Sequence, residues 1–261
     1  MTLDRSRYFL KSLAKGLYVL QTLARANEPL RLSDLSRLAK TNNATATRIC
    51  HTLSELGYVQ RNAQGRFHLT PKLLALGYSS MHSLGWRQLA KHYLEKLARQ
   101  TGETVNLSVL QNNALMYLIR INNTGRILPF DLQLGSRLPL HCTSMGKSML
   151  AFLDAKERKQ ILNGYEFTAL THRTIDNKKD FLLELAQVRE QGYAVNDEEL
   201  SVGLRSVAAP IKDAEGFAIA ALNIAVPTKR VCREVLVREL APLVMRCAKE
   251  IERAMGSEES F

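Results

Sequence analysis

This chain of 261 residues lacks several things that would narrow its function quickly. Its four cysteines, Cys50, Cys142, Cys232 and Cys247, form no C-x-x-C pair, which argues against a structural zinc site and against a disulfide framework. No stretch reaches the ~18 consecutive apolar residues a membrane-crossing helix needs, so no membrane partner is expected. Met1 to Lys11 carries charges throughout and has no apolar h-region, so no secretory signal is read there and the cytoplasm is the expected compartment. Gly135, Gly146 and Lys147 do not have the G-x-x-x-x-G-K-[ST] spacing that cradles phosphates. Repeats and low-complexity stretches are missing too, apart from a short polar tail after Met255. With 46% hydrophobic and 23% charged residues, the chain reads as an ordinary globular protein long enough for two domains.

The charge that is present is uneven. Residues 1–80 carry a net +8, and the remaining 181 only +3. A polyanion partner is therefore expected at the N-terminal third, since phosphate contacts dominate affinity for nucleic acid. The alternative, a basic surface kept for solubility, loses weight because a motif occupies the same segment.

That motif spans residues 31–69. A first helix is read from Leu32 to Ala39, with Ser33 as its N-cap. A second runs from Asn43 to Leu56, capped by Asn42 and ended by Gly57. Ala46, Ile49, Leu53 and Leu56 form its inward face. Outward lie Asn43, Ala44, Thr47, Arg48 and His51, donors with no acid among them, suited to the acceptors of a DNA major groove. Thr45 belongs to the same expected contact set. Tyr58–Arg61 and Arg66–Leu69 read as a hairpin about Asn62–Gly65, with Arg61 and Arg66 placed to reach a phosphate backbone. Helix, turn, helix and basic hairpin together predict a winged helix-turn-helix. An earlier helix, Ser12 to Ala26, offers Leu13, Leu17, Leu20 and Ala24 to pack beneath it.

Beyond Pro71 a short linker helix to Tyr78 is expected. A long helix, Trp86 to Gln100, follows, with Trp86, Leu89, Tyr93, Leu97 and Ala98 on its buried side. Val105, Leu107 and Val109 alternate with polar residues as a half-buried strand does, and Leu115 to Ile121 returns. Further strands are read near Arg126–Leu132 and Arg137–His141. Helices follow near Met145–Phe152, from Asp154 to Leu162, and over Lys178–Gln191 with Asp176 as cap. Tyr193–Asn196 and the pair Leu204–Lys212 and Phe217–Val226 are strands, and a last helix spans Thr228–Met255. The class is α+β: a winged helix-turn-helix (1–70), a linker and joint (71–85), and an antiparallel-sheet domain (86–261).

Enzymatic readings find little support. His141-Cys142 invites a thiol nucleophile, but neighbours on a strand point to opposite faces, so a structural cysteine is preferred. Asp197-Glu198-Glu199 reads as a solvated loop rather than a metal site, with no histidine nearby. No metal and no cofactor is expected.

At this point the chain resembles the IclR family of transcriptional regulators, from Ser12 to Met255. The resemblance is carried by Ser12–Leu20, Gly57-Tyr58-Val59, Leu138–Lys147, Gly192–Glu199 and Gly203–Ile211 in that order. It implies a GAF-like domain binding a small organic acid, and a homodimer or dimer of dimers on a partly palindromic operator of double-stranded DNA. The family's recognition turn has glycine then an apolar residue where this chain has Lys40 and Thr41. Ser144, Met145 and Gly146 open a helix whose free N–H groups suit a carboxylate, with Gly146 leaving room for it. By resemblance, the segments holding Asn196, Arg205, Ser206, Asn223 and Ala225 line the same pocket, with Leu128 and Phe130 as an apolar wall read from the strand pattern. The expected function is a DNA-binding regulator controlled by an organic acid. The alternative is a cytosolic enzyme for a small acid or thioester with a fused DNA-binding head.

Overall fold

Asn42 and Gly57 bracket the helix that organises the N-terminal part. In a computed structural model, which describes residues 9–26, 28–73, 85–122 and 136–258 (side chains at 85–87 and 257–258 excepted), the Asn42 side chain accepts from Thr45 N. Gly57 takes a φ of +75° that closes the end. The chain divides into two compact units, Met1–Leu84 and Gly85–Phe261.

The first unit holds α1 (Lys11–Arg25), α2 (Leu32–Leu38) and α3 (Asn43–Glu55), then β1 (Val59–Arg61) paired antiparallel with β2 (Phe67–Leu69). Its core is Val19, Leu23, Leu35, Cys50, Leu53 and Val59. The packing face expected for α1 is therefore rotated: Leu13, Leu17 and Ala24 are exposed and Leu20 is half-buried. Four apolar positions shared one side, but Val19 and Leu23, four residues apart and so also in helical phase, won the core. The cap of α2 also differs. Arg31 is the N-cap, without a side-chain bond, and Ser33 lies inside the first turn. In the turn before α3, Lys40 adopts φ +51°, a left-handed conformation that costs a side-chain-bearing residue roughly 1 kcal/mol. The backbone geometry that a glycine serves is thus kept by a lysine.

The second unit is a six-stranded antiparallel sheet in the order β5-β4-β3-β8-β7-β6. Its strands are β3 (Thr104–Gln111), β4 (Ala114–Ile121), β5 (Arg137–Leu138), β6 (Ala194–Asp197), β7 (Leu204–Lys212) and β8 (Ala218–Pro227). Its helices are α4 (Gly85–Thr101), α5 (Ser144–Phe152), α6 (Ala155–Ile161), α7 (Lys178–Gln191), α8 (Arg233–Val235), a π-helical stretch Leu236–Leu240, and α9 (Ala241–Glu258). Val207, Ile211, Leu222 and Ile224 are fully buried on one face, where α4 and α9 cover the sheet. Ala208, Ala221 and Ala225 pack on the other face with α5, α6 and α7. On α4 the buried positions are Ala90, Leu94, Leu97 and Ala98, whereas Leu89 and Tyr93 are half-buried.

Three further expectations shift. Asn177, not Asp176, caps α7 by accepting from Asp180 N. The C-terminal helix starts at Arg233, because Val231 O is held by the Arg205 guanidinium at 2.7 Å and Thr228 N by Gly203 O at 2.9 Å. His141 and Cys142 lie in a turn after β5, not in the strand. The expected strand 126–132, with Leu128 and Phe130, lies outside the described residues, as does the linker helix after Leu73. The side chain of Trp86 lies outside them too.

Candidate DNA-reading head and effector layer

Asn43, Ala44, Thr47, Arg48 and His51 are all exposed on α3. Asn43 spends its amide oxygen on Ser36 Oγ (2.5 Å), and the Thr47 hydroxyl donates to Asn43 O (2.8 Å). Thr45 departs from this set. It lies two residues from Thr47, about 160° around a helix, and is half-buried. With Arg48, Ile49, Leu13 and Leu17 it borders a groove of about 390 Å³ between α1 and α3. The stretch without acids ends at His51, since Glu55 one turn on is also exposed. On the wing, Arg61 folds back: its Nε donates to Gly65 O at 3.1 Å, and its guanidinium sits 5.7 Å from the Phe67 ring centre. Arg66 is half-buried, 3.9 Å from Glu28.

In the second unit the strand registers line up two polar rows on the α5 side of the sheet. Asn196 is across from Ser206, and Ser206 from Ala225. Ala208 is across from Asn223, Asn223 from Asn106, and Asn106 from Arg120. Ser144 Oγ meets Ser206 Oγ at 2.7 Å, Ser108 Oγ donates to Met145 Sδ at 3.1 Å, and Asn106 Nδ2 donates to Asn223 Oδ1 at 2.8 Å. Ser144, Met145, Ser206, Asn223 and Ala225 thus come together in one buried layer. Asn196 shares the row, though its amide oxygen accepts from Glu199 N at 2.9 Å.

Two expected residues do other work. Arg205, next to Ser206, points to the opposite face by strand alternation, and its Nε donates to Asp197 Oδ1 at 2.6 Å. Gly146 gives no room to a ligand: a Cβ there would stand 2.2 Å from Leu140 O, so the missing side chain accommodates the chain's own backbone. Thr143 Oγ1 also takes the Gly146 N–H, at 3.2 Å.

Sequence reasoning passed over Asn106, Ser108, Arg120 and Lys147. Thr104, Asn106 and Ser108 alternate with Val105, Leu107 and Val109 and read as a solvated face, yet all three are buried. Their being small and uncharged was the available signal, because exposed strand faces usually carry charge. Lys147 is 1% exposed, its Nζ 2.7 Å from Glu199 and 2.9 Å from Glu184. Asp197-Glu198-Glu199 is accordingly no solvated loop. Asp197 pairs with Arg205 and Arg173, and the Glu198 carboxylate accepts from Gly203 N. Burial raises the Glu199 pKa above the usual carboxylate range, while Lys147 pulls it back.

The thiol reading fails on electrostatics. Burial pushes the Cys142 pKa up to about 12, so it holds its proton and is a poor nucleophile. His141 is committed elsewhere: Tyr165 O–H donates to Nδ1 (3.1 Å), and Nε2–H donates to Thr168 O (3.0 Å). Burial lowers its pKa below 6.5. A histidine depressed in the folded state contributes stability that is full above the unfolded pKa and is lost as pH falls toward the folded one. Unfolding free energy is expected to drop below about pH 6.5, and less so in His141→Gln. A flat profile in both proteins would show that the imidazole charges as easily folded as unfolded.

Among the described residues no His/Cys/Asp/Glu cluster fit for a metal is present, and no helix is long and apolar enough to cross a membrane. Comparison with known proteins agrees with both halves of the chain. Residues 12–63 match the IclR helix-turn-helix domain, and residues 78–253 the bacterial transcriptional regulator IclR C-terminal domain. The Pca regulon regulatory protein of Pseudomonas putida is 34% identical over 93% of this chain and 83% of its own. A crystal structure of a transcriptional regulator from Rhodococcus sp. RHA1 superposes with a TM-score of 0.84 at 37% identity, covering 95% of this chain and 99% of that one. The inducer-binding domain of PobR from Acinetobacter, a double mutant in complex with 3-hydroxybenzoic acid, matches at 33% identity and a TM-score of 0.59 over 63% of this chain and 96% of that one. With both domain models matched and relatives of this similarity spanning nearly its whole length, the chain belongs to the IclR family of transcriptional regulators.

Proposed function

We propose that this regulator reads duplex DNA through α3 and the wing, and that a small organic acid bound in the second unit changes its hold on that DNA. The observation that carries the first half is the capped α3, whose positions Asn43, Ala44, Thr47, Arg48 and His51 are exposed with no acid among them. The second half rests on the buried polar layer under α5, an unusual investment for a sheet face that apolar residues would fill more cheaply. It is supported by the inducer-binding domain of PobR, which holds a hydroxybenzoic acid.

In this reading the residue roles divide. Arg48 and Thr47 contact bases, Asn43, Ala44 and His51 flank them, and Arg61 and Arg66 steady the backbone. Two copies place their α3 helices in successive major grooves of a partly palindromic site, with half-sites about 34–36 Å apart or a multiple of it. Exposed Leu13, Leu17 and Leu56 beside the α1–α3 groove favour such pairing. Ser144, Met145, Ser206, Asn223 and Ala225 form the effector side, with Asn196 at its edge. Arg205 and Gly146 support it through the fold. The effector must prefer one arrangement of the heads by a coupling energy of typically ~1–3 kcal/mol.

The test selects bound duplexes from a random pool, then measures affinity for the recovered site with and without organic acids. Arg48→Ala is expected to weaken that site by ~1–3 kcal/mol, with relaxed choice at one base pair. Unchanged affinity and sequence preference would remove Arg48 from the base-contacting set.

A further inference from the structure

Two residues paired across β3 and β4 each carry a buried polar atom without a partner. Asn106 is 1% exposed and gives its Nδ2 to Asn223. Its own Oδ1 is buried with no partner. Arg120 stands directly across the β3–β4 pair from it, and Arg120 Nη1 is likewise buried with no partner. One atom is an acceptor, the other a cationic donor. They face the same side of adjacent strands and do not bond each other. Among the described residues no carboxylate pairs with Arg120. Buried polar groups are nearly always satisfied, and each exception asks for an explanation. A third group belonging to neither strand supplies one here.

The chemistry of that group follows from the two atoms. It must accept from a guanidinium, which favours a carboxylate, and it must donate to an amide oxygen. A bare carboxylate serves Arg120 and is repelled by Asn106 Oδ1. A hydroxyl serves Asn106, and a molecule carrying both groups completes the pair with the negative charge that a neutral donor-acceptor such as water lacks. The Arg120 cation is felt in this layer: the neighbouring Tyr117 phenol is pushed up by burial and pulled back by Arg120.

We propose that Arg120 and Asn106 are the recognition pair for a hydroxy acid, with Arg120 Nη1 on the carboxylate and Asn106 Oδ1 accepting from the hydroxyl of the same molecule. This rests on the organic-acid reading above and narrows it to acids bearing a hydroxyl.

The full-length protein is tested by thermal unfolding against acids taken in matched pairs, propionate with lactate and benzoate with 3-hydroxybenzoate, across a concentration series. In the wild type a hydroxylated member is expected to raise the midpoint by about 5 °C or more near saturation. Its unhydroxylated counterpart should need at least tenfold more ligand. Arg120→Met is expected to weaken the response by about 10–100-fold, and Arg120→Lys to recover part of it. Without ligand, Arg120→Met should unfold at the wild-type midpoint or above, since a half-buried guanidinium with one buried, unpartnered nitrogen is removed.

A response that survives in Arg120→Met, or that ignores the hydroxyl, overturns the pair and leaves the organic-acid reading standing. So does a ligand-free midpoint several degrees lower in Arg120→Met, which would show the guanidinium to be held by the protein itself. No response of the wild type to any acid refutes the organic-acid reading, and the pair with it.

Discussion

Lys147→Met is expected to cost about 3–5 kcal/mol of unfolding free energy, the range for removing one partner of a buried ion pair. The lysine is 1% exposed on α5 and ties it to the loop after β6 through Glu199 and to α7 through Glu184. Methionine fills much the same volume, so packing loss is not the main term. The loss comes from Glu199, itself buried, whose Oε2 already has no partner and whose Oε1 would lose Lys147. An uncompensated buried carboxylate has two ways out, to unfold the loop or to take a proton.

The second way fixes a pH signature. Glu199 already titrates above the usual carboxylate range, and removing the cation raises it further. An acid whose folded pKa exceeds its unfolded value binds more protons when folded, so the folded state gains as pH falls through that window. The deficit of Lys147→Met should therefore shrink between pH 7 and about pH 5, and a second change, Glu199→Leu, should recover most of it at pH 7. Denaturant unfolding at several pH values measures both. A single variant within 1 kcal/mol of wild type at neutral pH would show that the triad is solvated and unimportant to the fold.

Gly146→Ala should also be strongly destabilising, by about 3 kcal/mol, although alanine is the better helix former by ~1 kcal/mol. Propensity loses because the new Cβ would meet Leu140 O at 2.2 Å and Leu140 Cα at 2.6 Å, both backbone atoms, and Thr143 Oγ1 at 2.6 Å. Relief requires the start of α5 to move away from the turn before it, which breaks the Thr143 cap and draws Ser144 from its 2.7 Å contact with Ser206. A fall in unfolding midpoint together with a weakened effector response is the expected pair of results. A variant as stable as wild type would mean that the Leu140 turn yields freely.

Gly146 also shows where reading the chain goes astray. A glycine at a helix start fits a ligand approaching the backbone and fits another part of the chain doing so, and nothing within a few residues distinguishes them. The same ambiguity touches α1, where Leu13 and Leu17 keep helical spacing as well as Val19 and Leu23 do, yet only the latter pair is buried. It touches β3 as well, whose polar face reads as wet until α5 is laid over it. By contrast, α3 was legible to within a residue at each end, and so were the turn at Asp213–Gly216 and the end of α7 at Gly192, with φ +82°.

What the sequence determined alone was everything written in short-range hydrogen bonds and periodicity: the capped α3, the basic wing, the α+β class and the family. Tertiary structure decided which of two apolar faces is core, which glycine serves packing, and which polar groups meet. Asn106 finds Asn223 across 117 positions of chain, and Lys147 finds Glu199 across 52. The first meeting exists because β8 pairs with β3, and the second because α5 packs over β6 and β7; sheet order and helix placement are a global minimum of burial and pairing that no local segment carries.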